Sequence, residues 1–218
     1  MQELIGSFGE IWQMERDERL DLPTVCDKIT GKKHSGHANV AIVSGGPHQR
    51  RSSIRGAFLF NIASASEELL VANPYFVPGP RIIRSLLRAS RRGVRVRLLM
   101  PARSDVPLVQ LVGRSFYGIL LRGGIEIFEM ERELLHAKVM LIDGERSVIG
   151  SANLDQRSFH RNFEINCVID SSIFGAQVRS ELEADFQAAL RVTLDSHEGR
   201  GIVLRILEKF VNLFSWFL

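Results

Sequence analysis

Residues 136–153 read HAKVMLIDGERSVIGSAN, and this stretch decides how the sequence on either side of it is interpreted. Its apolar part, 137–142, predicts a buried β-strand, in which residues two apart point to the same face. His136 and Lys138 are therefore expected to point the same way, as is Met140. The pattern places an imidazole beside an ammonium group at the start of one strand.

A turn and a second strand are predicted to bring two further polar residues to the same place. Asp143 and Gly144 form a pair that is typical of a tight turn, so the chain should reverse there. The second strand covers 147–150 and ends at a glycine, where a backbone can approach a ligand closely. Ser151 and Asn153 are then expected to lie near the start of the first strand, where a hydroxyl and an amide can donate hydrogen bonds.

Together these side chains suit the chemistry of a phosphodiester. An imidazole can attack phosphorus or transfer a proton at neutral pH. A neighbouring ammonium group can hold a phosphate oxygen by charge. A lone histidine beside a lysine on a strand is usually structural. The complete spacing of H-x-K, four residues, D, six residues and G-S-x-N favours a site that handles phosphodiesters.

Length and composition are those of an ordinary globular protein. The chain has 218 residues, of which 45% are hydrophobic and 24% are charged, and its formal net charge is +3. This length allows one large domain or two small ones. Two cysteines, Cys26 and Cys167, make no disulfide framework, which favours a reducing compartment. The sequence predicts neither a signal peptide nor a transmembrane helix.

Strands alternate with helices through residue 128, which predicts an α/β fold with a layered, at least partly parallel sheet flanked by helices. The predicted strands cover 40–43, 69–72, 94–100, 125–128, 137–142, 147–150 and 163–169. The predicted helices cover 1–20, 50–65, 80–92, 107–122 and 172–190.

A row of basic residues lies on the predicted helix 80–92. Arg81, Arg84, Arg88 and Arg91 are three, four and three residues apart, so they share one face of the helix. The row is either a solvated helix face or a surface that attracts anionic lipid or nucleic acid. No aromatic residues alternate with the arginines, which argues against binding of single-stranded nucleic acid.

The C-terminal stretch 202–218 reads IVLRILEKFVNLFSWFL and predicts an amphipathic helix. Its polar residues form one helical stripe, and all its other residues are apolar. An apolar arc of this width suits a helix that lies in the bilayer interface better than one that crosses the bilayer. The alternative is a helix that docks on the core or on a second subunit.

The stretch 136–153 resembles the HKD motif of the phospholipase D superfamily at every motif position. Beyond the motif, the resemblance narrows to bacterial cardiolipin synthases of the phospholipase D type. It is carried by VSGGP at 43–47, IRGAFL at 54–59, VANPYFVPG at 71–79, RRGVRVRLLMP at 91–101 and LDQRSFHRNFEIN at 154–166. Members of this type carry two HKD units in one chain, whereas this sequence has one, which looks like the second.

The resemblance predicts a phospholipase D-like catalytic domain at 40–195 and a membrane-associating tail at 196–218. Residues 1–20 resemble the end of a preceding HKD unit, and 21–39 are expected to be a linker. A spacing of Leu-x-x-x-Phe recurs at 4–8 and 182–186, although two unrelated amphipathic helices would explain it equally well.

For three residues the resemblance implies catalytic roles in a two-step reaction that needs no metal or other cofactor. One motif histidine attacks phosphorus and forms a phosphohistidine, while the other protonates the leaving alcohol and then activates the incoming one. His136 matches the histidine of the second motif, which makes acid–base catalysis its expected role. Lys138 matches a phosphate-binding position. Asp143 matches the motif aspartate, whose position in a turn also allows a structural role.

Three further residues are expected to support the substrate or the histidine. Asn153 matches a phosphate-binding position, and Ser151 lies beside it in the sequence. Glu164 matches an acid that orients the histidine through a hydrogen bond. Its alternative role is that of a strand residue paired with an arginine such as Arg161.

The expected function is phosphatidyl transfer from a phospholipid to an alcohol, as in cardiolipin synthesis. A homodimeric phosphodiesterase, phospholipase D or nuclease with one motif per chain is the first alternative, and a catalytically incomplete membrane-associating fragment is the second. The expected partners are an anionic phospholipid substrate, the membrane surface and a second HKD unit, whereas nucleic acid is not expected. The expected location is the bacterial cell membrane, peripherally and on its cytoplasmic face.

Overall fold

The computed structural model describes residues 2–16, 38–47, 52–131 and 135–201. The chain divides into two units, 1–37 and 38–218. The described part of the first unit is helix α1 (Gln2–Arg16), which accounts for most of the helix predicted at 1–20. The predicted linker 21–39 lies mostly outside the described residues, and the amphipathic stretch 202–218 lies entirely outside them. The proposed domain boundaries therefore stay predictions.

The described part of the second unit alternates strands and helices, as the sequence predicts. Its elements are β1 (Asn39–Gly45), α2 (Ser53–Ser64), β2 (Glu68–Ala72), β3 (Phe76–Val77), α3 (Gly79–Arg91), β4 (Arg95–Pro101), α4 (Pro107–Ser115), α5 (Tyr117–Arg122), β5 (Glu126–Met130), β6 (Val139–Ile142), β7 (Arg146–Gly150), β8 (Leu154–Asp155), α6 (Gln156–His160), β9 (Glu164–Asp170), α7 (Ser172–Ala188), β10 (Leu190–Val192) and α8 (Leu194–Glu198).

Among the described residues, eight strands form one mixed sheet in the order β1-β9-β7-β6-β2-β4-β5-β10. Strands β2, β4 and β5 are parallel to one another, because helices make the crossovers between them. The successive pairs β1–β9, β9–β7, β7–β6 and β6–β2 are antiparallel, and β10 is antiparallel to β5. Strands β3 and β8 pair separately in parallel. The predicted α/β layered sheet, partly parallel and flanked by helices, is therefore confirmed.

Helices cover both faces of the sheet and enclose two hydrophobic clusters. On one face, α2, α3 and α5 bury a large cluster that includes Ile62, Leu86, Leu98 and Leu120. On the other face, α7 packs its Leu182 and Phe186 against Leu70, Leu99 and Leu141. The sheet strands are apolar on both faces because both faces are covered.

Helix α3 presents the basic row to solvent, as its spacing predicts. The row consists of the exposed residues Arg81, Arg84, Arg88 and Arg91. The opposite side of the helix is buried in the large cluster through Ile82, Ile83, Leu86 and Leu87. The helix follows Pro78 and ends before Gly93, whose φ of 93° suits glycine.

Three local features differ from the prediction. The helix predicted at 107–122 is broken at Phe116 into α4 and α5. The helix predicted at 172–190 ends at Ala188, because the chain then turns to pair β10 with β5. The short elements β3, β8, α6, β10 and α8 were not predicted, since two to five residues carry too little periodicity to reveal an element.

Candidate active site

The H-x-K residues lie at one edge of the sheet, where β6 begins, β7 ends and β9 begins. Val139, the first residue of β6, pairs with Ile149 near the end of β7. Glu164, the first residue of β9, pairs with Gly45 at the end of β1. The predicted strand, turn and returning strand are confirmed, except that β6 begins at Val139, so that His136 and Lys138 precede the strand. This arrangement brings the residues on both sides of the hairpin to the same edge.

Lys138 faces two acidic side chains at this edge. Its Nζ donates a hydrogen bond to the carbonyl oxygen of His136 at 3.0 Å. Burial lowers the pKa of Lys138, and the nearby carboxyl groups of Glu164 and Asp155 offset part of that shift. The ammonium group is thus half-buried next to the residues that follow β7, where a phosphate oxygen could replace water as its partner.

Glu164 is the centre of a hydrogen-bond network that joins the predicted site residues. Its Oε2 accepts from the hydroxyl of Ser151 at 2.5 Å, and its Oε1 accepts from the hydroxyl of Ser158 at 2.7 Å. The side chain of Asn162 donates to the same Oε1 at 3.3 Å. Glu164 is buried, so these donors supply the partners that a buried carboxyl group needs. The network fixes the position of the loop that carries Ser151.

The expected bond between Glu164 and the motif histidine is replaced by this network. In the described part of the chain, no hydrogen bond joins Glu164 to His136, and no ion pair joins it to Arg161. The side chain of His136 is exposed. Glu164 therefore holds the hydroxyl groups of Ser151 and Ser158, while the side chain of His136 remains exposed.

Asn153 carries a buried polar atom without a partner. Its backbone N–H donates to the Ser158 hydroxyl at 3.0 Å, which fixes the backbone. Its side-chain Oδ1 is buried and accepts no hydrogen bond. Such atoms are uncommon in folded proteins, and a carboxamide can offer an oxygen or a nitrogen to a ligand. This observation agrees with the predicted role of Asn153 in substrate binding.

Asp155 is a buried acid that the sequence prediction did not include. Burial raises the pKa of Asp155 to about 6, although a hydrogen bond from the backbone N–H of Ser158 at 2.7 Å opposes the shift. The same bond caps helix α6. The sequence carries a signal for this cap, because Asp155 and Ser158 have the spacing of an N-cap residue and the N3 position.

Asp143 lies at the opposite end of β6 from His136, in the turn that leads to β7. Its carboxylate accepts from the backbone N–H groups of Ser66, Glu67 and Glu68 and from the Ser66 hydroxyl, at 2.8–3.0 Å. Burial raises its pKa, but these hydrogen bonds outweigh burial, so the pKa of Asp143 is lowered overall. The geometry favours the structural role over the catalytic one that the motif implied.

Gly150 allows β7 and β9 to approach each other beside the site. A Cβ atom at this position would overlap Asn166 and the carbonyl oxygen of Ile165. The Asn166 side chain uses the space to accept from the backbone N–H of Ala152 at 3.3 Å. The sequence predicted that a ligand would approach the backbone at Gly150. In the structure strand β9 occupies that space instead, and Ser151 lies beside Glu164.

The network also depends on one residue from a distant part of the sequence. Asn73 follows β2 and accepts a hydrogen bond from the backbone N–H of Leu154 at 3.1 Å. No local pattern in the sequence identifies this contact, because it forms only when β2 and the H-x-K hairpin are adjacent.

The described ranges contain neither a cluster of metal-binding side chains nor a helix that could cross a membrane. There, no group of three or more His, Cys, Asp or Glu side chains has a geometry that could hold a metal ion. None of the helices in those ranges has both the length and the apolar character needed to span a bilayer. The absence of a metal from the reaction stays a prediction.

Comparison with known structures identifies the fold. Nuc from Salmonella typhimurium, a phospholipase D family member, has a TM-score of 0.63 and 19% identity, and the match covers 72% of this chain and 99% of Nuc. Phosphatidylserine synthase from Haemophilus influenzae Rd KW20 has a TM-score of 0.66 and 15% identity, and the match covers 83% of this chain and 48% of that protein. At such identities the similarity establishes the shared fold alone.

Sequence comparison identifies the family. Cardiolipin synthase A from Proteus mirabilis (strain HI4320) is 34% identical over 205 residues, which are 94% of this chain and 42% of that protein. Cardiolipin synthase from Geobacillus kaustophilus (strain HTA426) is 39% identical over 181 residues, which are 83% of this chain and 36% of that protein. This chain thus spans less than half the length of these relatives.

The family match covers the helices and strands that build the site. Residues 59–189 match the family described as "Cardiolipin synthase, PLD-like domain". This range includes the H-x-K hairpin, Glu164 and the helices on both faces of the sheet. The chain therefore belongs to the family of cardiolipin synthase PLD-like domains.

Proposed function

We propose that this chain supplies one H-x-K unit of a phosphatidyltransferase that moves a phosphatidyl group from a phospholipid to an alcohol. The observation that carries the proposal is the meeting of Lys138, Ser151, Asn153 and Glu164 beside the exposed His136, inside the range that matches the family. The relatives named above are cardiolipin synthases. A second phospholipid molecule is therefore the proposed acceptor.

The proposed reaction has two displacement steps at phosphorus. A histidine of a second H-x-K unit attacks phosphorus, so that a P–N bond forms and the P–O bond to the leaving alcohol breaks. His136 gives a proton to that alcohol. In the second step the acceptor hydroxyl attacks phosphorus and loses its proton to His136, while the P–N bond breaks. Both histidines return to their starting states.

Three side chains around His136 contribute to phosphate binding in different ways. Lys138 supplies positive charge for the oxygens of phosphorus, which carry more negative charge in the transition state. Asn153 supplies an amide whose oxygen has no protein partner. Glu164 accepts from Ser151 and Ser158 and keeps their loop in place. Glu164 is thus a positioning residue, which acts through the two serines.

A second H-x-K unit is required because one histidine cannot lie on both sides of the same phosphorus atom. This unit comes from a second copy of the chain or from a separate polypeptide segment. We expect specific activity to fall as the protein is diluted and its assembly dissociates. Light scattering combined with a lipid-transfer assay measures both quantities in the same dilution series. Undiminished turnover by a proven monomer would contradict this requirement.

The test of the function compares His136→Ala with the unaltered chain in the assembled state. Loss of a general acid–base group is expected to reduce transfer by roughly 10²–10⁴-fold, while circular dichroism stays unchanged. His34→Ala is the matched control, because it removes a histidine outside the motif. Transfer by His136→Ala within a few-fold of the unaltered chain would refute the assignment.

We further propose that the enzyme works on a membrane surface through its exposed basic row and its C-terminal stretch. The row on α3 places four guanidinium groups in solvent, where they can attract anionic lipid. Deletion of 202–218 is expected to weaken co-sedimentation with anionic vesicles. Vesicle binding that is equal with and without these residues would contradict a role for the tail.

A one-unit homodimeric phosphodiesterase is the second candidate. It is favoured by the match to Nuc, which covers 99% of that protein, so one unit of this size makes a whole chain there. Assays with phospholipid vesicles and with plasmid DNA separate the two candidates. Cleavage of DNA without lipid transfer would favour the second candidate, and loss of both activities in every assembly would favour a catalytically incomplete fragment.

A further inference from the structure

Arg55 and His160 contact each other on two different helices, and the charge of Arg81 on a third helix acts on both. We call these three residues the cationic cluster. Arg55 lies in the first turn of α2, Arg81 in the first turn of α3 and His160 at the end of α6. The guanidinium Nη1 of Arg55 donates to the Nε2 of His160 at 2.7 Å. The charge of Arg81 acts on both of the other groups and lowers the pKa of each, in addition to the larger effect of burial.

This cationic cluster has no acidic counterpart among the described residues. Three other half-buried or buried arginines have one: Arg97 pairs with Glu68 at 3.1 Å, Arg114 with Glu129 at 2.9 Å and Arg146 with Asp170 at 2.5 Å. Arg55 is half-buried, yet its neighbours are another arginine and a histidine. Like charges that are held together without a counter-charge cost free energy, which a bound anion would recover.

The cluster and the H-x-K site share the same part of the fold. Helix α2 begins after β1, whose last residue pairs with Glu164. Helix α3 begins after β3, which pairs with β8, and β8 contains Asp155. His160 is four residues before Glu164 and two residues after Ser158. Each of the three helices is therefore anchored to a strand or loop that builds the active site.

The start of α3 strengthens the positive field at the cluster. The helix has 13 residues, no side chain caps its N-terminus and its first turn contains no acidic residue. The positive end of the helix dipole is therefore uncompensated beside Arg81. This effect adds to the charges of Arg55 and Arg81 and does not define the site by itself.

We propose that Arg55, Arg81 and His160 form a second phosphate site, which binds the phosphodiester of the acceptor phospholipid. This inference rests on the proposed phosphatidyl transfer for the identity of the ligand. When one phospholipid is transferred to the hydroxyl of another, the substrates carry two phosphodiesters. The product carries both, separated by a short alcohol bridge. The phosphodiester of the donor reacts at His136 and Lys138. The phosphodiester of the acceptor does not react, and nearby cations that take no part in the reaction would bind its negative charge.

The site also predicts how acceptors are distinguished. A phospholipid acceptor brings an anion to the cluster, whereas free glycerol or water brings none. Arg81→Gln is the informative variant, because Arg81 is exposed and the substitution leaves the core intact. Arg91→Gln is the matched control, since it removes the same charge from the exposed face at the other end of the same helix.

The first experiment measures binding in the full chain and needs no enzymatic activity. The ring signals of His160 are followed by NMR while sn-glycerol 3-phosphate, inorganic phosphate or short-chain phosphatidylglycerol is added. We expect saturable shifts, with tighter binding of phosphatidylglycerol than of inorganic phosphate. Loss of a hydrogen-bonded charge should weaken binding about tenfold to a hundredfold in Arg81→Gln and little in Arg91→Gln. Equal affinities in the two variants, or preference for inorganic phosphate, would overturn the proposal.

The second experiment measures transfer in the active assembly with two acceptors. In Arg81→Gln we expect the KM for phosphatidylglycerol as acceptor to rise about tenfold to a hundredfold above that of Arg91→Gln, while the two variants transfer to free glycerol equally well. Equal losses with both acceptors would overturn the second phosphate site. Failure of the unaltered protein to transfer to any acceptor would instead refute the proposed function, and the NMR titration would then decide whether the anion site exists.

Discussion

Replacement of Asp143 by asparagine should lower stability and spare catalysis. The Asp143 carboxylate accepts three backbone hydrogen bonds and one from a serine hydroxyl, all from the segment that starts β2. Asp143 also has a φ of 51°, a left-handed conformation that asparagine adopts more readily than most residues. Asp143→Asn therefore removes the negative charge with little backbone strain and keeps one oxygen as an acceptor.

The expected loss follows from the number and environment of these hydrogen bonds. A hydrogen bond to a charged group contributes about 1.5–3 kcal/mol when it is shielded from water. The carboxylate of Asp143 is partly exposed, so water can replace some of the lost interactions. We expect the free energy of unfolding to fall by about 1–3 kcal/mol. In a protein of this size, each lost kcal/mol lowers the Tm by about 2–4 °C.

The measurement combines denaturant unfolding across pH with a transfer assay below the Tm. Because the folded-state pKa of Asp143 is lowered, its contribution is fully present above the unfolded-state pKa of about 3.9. It is lost as the pH falls through the lower, folded-state pKa. The difference between the unaltered chain and Asp143→Asn should therefore be largest at neutral pH and shrink under acidic conditions. Transfer activity of the folded variant should stay within about threefold.

A loss of activity of about a hundredfold without a loss of stability would refute this reasoning, because it would match removal of a catalytic group. The control is Ser66→Ala, which removes one of the hydrogen bonds and leaves the charge. It should reduce stability by a smaller amount and weaken the acid-side pH dependence only in part, because the backbone hydrogen bonds that also lower the pKa of Asp143 remain.

Three further substitutions test other parts of the fold by denaturant unfolding. Arg97→Met leaves Glu68 and Glu183 without the guanidinium between them and should cost about 3 kcal/mol. Gly150→Ala places a Cβ atom against the backbone of β9 and should cost about 1–3 kcal/mol. Asp155→Asn removes a buried acid with a pKa of about 6, so it should raise stability by about 1–3 kcal/mol at pH 8 and have little effect at pH 4.

A specific measured result would contradict each of these three expectations. Stability of Arg97→Met equal to that of the unaltered chain would mean that the two acids find other partners at no cost. A fully stable Gly150→Ala would contradict the close approach of β7 and β9. For Asp155, the raised pKa means that stability of the unaltered chain falls as the pH rises from about 4 to about 6, and a flat profile there would show that the acid is not buried in solution.

The sequence predicted the elements whose pattern is long or chemically specific. The apolar run 137–142 and the turn at Asp143 and Gly144 predicted the hairpin, since strand burial and turn conformation are local properties. The 3-4-3 spacing of arginines on α3 predicted which face of that helix meets solvent. In both cases the deciding information lies within about a dozen neighbouring residues.

The network around Glu164 could not be predicted, because it depends on which loops the sheet brings together. Ser158 and Asn162 are close to Glu164 in the sequence, but their hydrogen bonds follow from the short helix α6. The role of Asp143 follows from the position of β2, which is more than seventy residues away in the sequence. The cluster of Arg55, Arg81 and His160 joins three separate helices, and its members belong to no common sequence pattern.

The pairing of β1 with β9 has a consequence for how the protein folds. Strands β6, β7 and β9 follow one another closely, whereas Gly45 of β1 pairs with Glu164 more than a hundred residues later. Closing a loop of that length costs about 3 kcal/mol more free energy, through lost chain entropy, than closing the three-residue turn between β6 and β7. Strand β1 is also an edge strand with an exposed beginning. We therefore expect its amide hydrogens to exchange before those of β6 and β7. The end of the sheet that carries the active site would then be complete only once β1 has paired with β9.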